Sequence, residues 1–166
     1  MNGFIPRFYL DNITSEKFTF DEIVSKSDIS IILGEPASGK TFQLKQHEKE
    51  NINSIMIELL SIEDEEPIPS DIDVVLLDSI DEALSKNTSD KTLIRKLLKY
   101  IKTSQKVNPN VKFIITCRYI EWKEIFEKKI VEIDKEFNIY YIQELSKEDI
   151  NNLLTSTNLG VIFLDA

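Results

Sequence analysis

The sequence predicts an α/β protein of three layers, a five-stranded parallel sheet covered by helices on both faces, and three observations carry that expectation. Short apolar runs rich in β-branched residues recur at Ile29 to Leu33, Val74 to Leu77 and Val111 to Thr116, as strands buried on two sides are. Segments of helical period alternate with them. Turn chemistry separates the two, at Gly34, at Pro67 and Pro69, and at Asn108-Pro109-Asn110.

Residues 1 to 27 read as a lead-in segment, 28 to 145 as the core, and 146 to 166 as the start of a C-terminal helical lid. Ile29 to Leu33, stopped by Gly34, is the first strand. Lys40 to about Glu50 follows as a helix rich in Lys, Gln and Glu, with Phe42 and Leu44 turned inward and His47 on the solvated side. Ser54 to Leu60 is the second strand, and Ile62 to Asp71, with its acidic cluster, an exposed loop. Val74 to Leu77 is the third strand, ended by Asp78. Between Ser89 and Gln105, Leu93, Ile94, Leu97, Leu98 and Ile101 share one helical face, and Lys91, Arg95, Lys96, Lys99 and Lys102 share the other, read as solvated.

Val111 to Thr116 is the fourth strand, Ile120 to Lys129 a helix, and Asn138 to Ile142 the fifth strand. Ser146 and Asp149 have the spacing of a capping box, so a helix should run through Ile150, Leu153 and Leu154. Gly160 to Ala166 is apolar and ends without a terminating element, which reads as a chain cut from something longer.

With 166 residues the chain has the size of one domain. No stretch approaches the roughly 18 apolar residues of a membrane helix, and residues 1 to 20 lack the pattern of a secretory signal. A cytoplasmic protein is expected. One cysteine, Cys117, and one histidine, His47, leave no disulfide and no Cys/His metal cluster, so any metal must use oxygen ligands, as Mg²⁺ does. A net charge of −9 argues against a broad nucleic-acid face and confines polyanion binding to local features.

The local feature is Gly34-Glu35-Pro36-Ala37-Ser38-Gly39-Lys40-Thr41, which matches G-x-x-x-x-G-K-[ST] between a strand and a helix. The chain has four glycines, and two occupy the motif's glycine positions. They let successive N–H groups converge on a phosphate at the positive end of the following helix. Lys40 supplies the charge for the β- and γ-phosphates, and Thr41 offers its hydroxyl to Mg²⁺. The nucleotide-contacting residues are expected to be Gly34 to Thr41 together with Phe42. No Asn-Lys-x-Asp string for guanine occurs, which favours ATP.

Asp73 to Asp78 is the second element, an apolar strand delivering the Asp78 carboxylate where ligands bind in open α/β sheets, with Mg²⁺ as its partner. Asp81 and Glu82 follow, one of them to polarise the attacking water, with Glu82 preferred; capping a helix that starts at Ala83 is their other possible role. Arg118, one of three arginines, ends the fourth strand and could read the γ-phosphate or pair with the Asp78 to Glu82 acids. Cys117 and Trp122 are read as core residues.

With these strings in view, Ile32 to Thr41, Leu76 to Ala83 (with Ser79 after the aspartate and acids three and four positions on) and Phe113 to Trp122, the chain resembles the STAND class of P-loop ATPases, specifically bacterial NACHT-like proteins. The resemblance covers roughly residues 4 to 155 and implies strand order 5-1-4-3-2. It implies a slowly hydrolysing ATP switch of antiphage defence or signalling, self-associating through its core and joined to sensor and effector parts. Ala37 stands where that family commonly has glycine. Two other readings remain: a remodelling ATPase or helicase loader of the AAA+ type, with Thr116 as polar sensor, and a nucleotide-binding interaction module without hydrolysis.

Overall fold

The computed structural model describes residues 7–58, 68–78, 90–122 and 137–156. The strands are β1 (Tyr9–Asp11), β2 (Lys17–Phe18), β3 (Ile29–Leu33), β4 (Ser54–Glu58), β5 (Val74–Asp78), β6 (Lys112–Cys117) and β7 (Asn138–Ile142). The helices are α1 (Phe20–Lys26), α2 (Lys40–Glu50), α3 (Asp90–Val107) and α4 (Lys147–Ser156), with one further turn at Tyr119–Glu121. The protein is α/β, and its sheet has seven strands in the order β2-β1-β7-β3-β6-β5-β4.

Five of these strands, β7-β3-β6-β5-β4, pair in parallel. The expectation of a five-stranded, wholly parallel sheet is corrected, because the lead-in segment adds an antiparallel β1 beside β7 and β2 beside β1. Those two strands have three and two residues, too few to show an alternation in sequence. The same segment contributes α1, whose Thr19 and Glu22 bond each other's backbone in a capping box.

Strand alternation sorts the core to two sides. Ile31, Leu33, Val75, Leu77, Phe113 and Ile115 face α3, which answers with Leu93, Ile94, Leu97, Tyr100 and Ile101. Ile32, Leu76, Ile114 and Tyr140 face the other way, toward Phe20 and Ile23 of α1 and Leu44 of α2. Cys117 is buried, and Trp122 is buried edge-on to Phe137 at 6.0 Å between ring centroids, so both are core residues as expected.

Two assignments on α2 are corrected. Its inner face is Gln43, Leu44 and His47, whereas Phe42 lies one step round the helix and is 58% exposed. His47 is not solvated: it is buried against the Phe20 ring, with Asp21 3.5 Å from Nδ1 and the Asn51 amide 3.3 Å from the same atom. Burial lowers the imidazole pKa from its ordinary value, and Asp21 opposes that shift. The capping box at Ser146 and Asp149 forms as the spacing predicts, and its hydrogen bonds hold the Asp149 carboxyl below the usual range. No helix among the described residues is long and apolar enough to cross a membrane.

Candidate phosphate-binding site

The chain leaves β3 toward one edge of the sheet, through α2 to β4, and leaves β6 toward the other, to β7 beyond β3. Such a reversal opens a crevice at the C-terminal ends of the strands. Gly34 stands there, its N–H donating to the Cys117 carbonyl at 3.3 Å. A Cβ on Gly34 would come 2.2 Å from Ile142 Cγ2 and 2.8 Å from Ser38 Oγ, so a side chain there would force the Ile142 and Ser38 side chains to shift.

Beyond Gly34 the backbone folds back, with the Ser38 N–H donating to the Glu35 carbonyl at 3.2 Å. Ala37 has φ +61° and Gly39 φ +92°, both left-handed. Gly39 tolerates this freely, but for alanine the conformation costs about 1–2 kcal/mol. Gly39 is also the N-cap of α2, and its carbonyl receives the Gln43 N–H at 3.0 Å. The Lys40 ammonium lies over the loop and donates to the Gly34 carbonyl at 2.6 Å, the Glu35 carbonyl at 2.9 Å and Ser38 Oγ at 3.3 Å. These acceptors hold the ammonium against the loop, so the loop and its lysine hold each other in shape.

The second element lies on the α2 side of the sheet. Leu77 is in register with Ile115, so Asp78 and Thr116 come next in the same row, and the Thr116 hydroxyl donates to Asp78 Oδ1 at 2.6 Å. Both side chains are buried, at 7% and 0% exposure, which makes this a desolvated, charge-assisted hydrogen bond that orients the carboxylate. Arg118 is half-buried one residue beyond β6, in the extended conformation.

A cavity of about 570 Å³ adjoins the loop along Leu33 to Ser38, a volume in the range of small-molecule sites. Its opposite wall comes from separate parts of the chain: Arg7, Tyr119, Tyr141 and Ile142 with Glu144 and Ile150. The Tyr119 and Tyr141 rings lie 5.9 Å apart, tilted by 53°. The Arg7 guanidinium donates to the Gln143 carbonyl, and burial lowers its pKa. Sequence reasoning passes over these wall residues. The single available signal is that Tyr141 and Ile142 end a predicted strand.

The structure therefore gathers Gly34, Glu35, Pro36, Ala37 and Ser38 at one cavity and seats Lys40 within their loop. It couples Asp78 to Thr116. Gly39, Lys40, Thr41, Phe42, Asp78 and Arg118 do not line that cavity. The expected bases Asp81 and Glu82 lie outside the described residues. Among the described residues no group of three or more His, Cys, Asp or Glu side chains is arranged to hold a metal ion. Compared with models of known protein families the chain matches none, and comparison with curated proteins gives no significant match.

Proposed function

We propose that the chain is a P-loop nucleotide-binding domain that holds ATP with Mg²⁺ and hydrolyses it slowly, acting as a regulatory switch like those of the STAND and NACHT-like ATPases it resembles. The observation that supports this most is the loop itself: a lysine ammonium fixed by the loop's own carbonyls at the head of α2, beside a cavity of nucleotide size. An anion seated in the loop itself, at the head of α2, would meet the ammonium and the positive end of α2 together, with the cavity left for the rest of the ligand.

The metal donors fit. Thr41 in the first turn of α2 and the buried Asp78 carboxylate offer oxygen ligands, few enough to suit Mg²⁺, which keeps waters and phosphate oxygens in its shell. Bound Mg²⁺ supplies neutralisation of phosphate charge. Asp78 keeps one oxygen committed to Thr116 and the other available for such a ligand. Lys40 binds the phosphates, Arg118 reads the terminal one, and Glu82, or else Asp81, takes the proton of the attacking water. The Tyr119 and Tyr141 wall offers aromatic surface to a nucleobase.

Titration with fluorescent ATP plus Mg²⁺ tests the reading. Lys40→Ala should weaken binding about 10- to 100-fold, the worth of a hydrogen-bonded charge, with the thermal unfolding of the variant checked in parallel. Affinity retained within about threefold in a folded variant rejects the assignment.

A further inference from the structure

The exposed side of α3 carries a feature that nucleotide binding does not use. Residues 91–107 contain six of the chain's 20 basic residues and none of its 29 acidic ones. Arg95, Lys99, Lys102 and Lys106 are all exposed, and at 100° per residue their spacings of four, three and four keep them in one row. The row extends about 16 Å along the axis at 1.5 Å per residue. Among the described residues, no carboxylate forms an ion pair with any of the four.

A merely solvated helix face gains from mixed signs, since opposite charges at i, i+3 and i, i+4 stabilise by about 0.2–0.5 kcal/mol and like charges cost as much. Here every such neighbour in the row is a like charge. The macrodipole compensates only in the last turn, where Lys106 sits. Protein interfaces deplete lysine and gather apolar and aromatic groups, yet the only large apolar residue exposed on α3 is Val107, at its end. A row of cations without apolar neighbours is the chemistry of phosphate contacts. The net charge of −9 is summed over the whole chain and does not by itself cancel a local row, because charges more than about 8 Å apart are largely screened at physiological salt.

We propose that the exposed row of α3, Arg95, Lys99, Lys102 and Lys106, is a docking surface for the phosphodiester backbone of a nucleic acid, independent of the phosphate loop and of base sequence. Four phosphate contacts define its salt dependence. The logarithm of affinity should fall with the logarithm of salt with a slope of about −3.6 for duplex DNA and about −2.8 for a single strand. Affinity for a duplex then drops about 150-fold between 50 and 200 mM NaCl.

The experiment is fluorescence anisotropy with a labelled 20-base-pair duplex and a 20-nucleotide single strand, at several NaCl concentrations. The proteins are the wild type, a quadruple variant Arg95→Gln, Lys99→Gln, Lys102→Gln, Lys106→Gln, and a charge-matched variant Lys17→Gln, Lys45→Gln, Lys49→Gln, Lys147→Gln elsewhere on the surface. Binding by the wild type with these slopes, retained by the second variant and lost by the first, supports the proposal, and the tighter of the two affinities at one salt concentration identifies the preferred form. A wild-type slope shallower than about −1, equal losses in the two variants, or binding to phosphatidylserine vesicles without binding to either nucleic acid overturns it.

Discussion

The two faces of the sheet are built differently. Beneath α3 the contacts are almost wholly aliphatic and aromatic, and the helix seats five large side chains on strands β3, β5 and β6. Beneath α1 and α2 the apolar cluster is smaller, and α2 turns two polar residues, Gln43 and His47, inward beside a second cavity of about 220 Å³. The helix on this looser face is also the one that begins with Lys40 and Thr41. The α3 face is therefore a platform that fixes the strands, and the α2 face is where the candidate phosphate loop is tied to the rest of the molecule.

Matched truncations break that comparison most forcefully. Leu97→Ala and Leu44→Ala each remove a fully packed leucine, at 1% and 0% exposure, and each should cost about 2–5 kcal/mol in denaturant unfolding. They should part in nucleotide affinity, measured well below the unfolding transition. The Leu97 variant keeps its affinity because the strands still present the loop, whereas the Leu44 variant loses affinity because α2 shifts over the sheet. Equal affinities in the two would show that the loop is held without α2.

The same contrast governs what was legible beforehand. Strands β3, β5, β6 and β7 lie within a residue of their expected limits because buried runs bounded by turn residues are local signals. The candidate phosphate loop is eight consecutive residues, so sequence alone presents it whole. The facing wall joins Arg7, Tyr119, Tyr141 and Glu144, which only pairing of β1 with β7 and the neighbouring strand ends bring together. The burial of His47 is not legible in the sequence, because an inner face of Gln, Leu and His hides the apolar period that reveals a helix's buried side. Helix α1 had a signal, Thr19 and Glu22 three apart ahead of Ile23, that a search for capping boxes finds.

A smaller effect sharpens the comparison at the row where the α2 face carries its charge. Thr116→Val keeps the side-chain shape but removes the donor to Asp78, leaving a buried carboxylate oxygen unsatisfied at a cost of about 1–3 kcal/mol. Thr116→Ser should recover most of it. On the proposed function the valine variant should also lose part of the gain in ATP affinity that Mg²⁺ gives over EDTA, since nothing then fixes which Asp78 oxygen is free. A variant as stable as the wild type would show that strand pairing, not the hydroxyl, orients Asp78.

The smallest effect is a pH dependence belonging to the α2 face alone. In the unfolded chain His47 titrates near its ordinary value of 6.5, and in the folded protein burial holds it lower, despite Asp21 at 3.5 Å and the more distant charge of Glu50. Between the two values the unfolded state binds more protons, so stability falls as pH drops through 6.5 and levels off below the folded value. The Asp11, Glu22 and Asp149 carboxyls are held down by hydrogen bonds, so their contributions vanish only on further acidification through and below about pH 4. The interval from about pH 7.5 to about pH 5.5 therefore isolates His47, whose ring is also bounded by Phe20 and Asn51, with Arg7 across the cavity. Thermal unfolding of the wild type should shift to lower temperature across it, and His47→Gln should abolish the shift, while Leu97→Ala lowers the midpoint alike at both ends. A wild-type midpoint that rises on acidification would mean that the Asp21 ion pair outweighs burial, and that α1 and α2 are clamped by charge and not by packing.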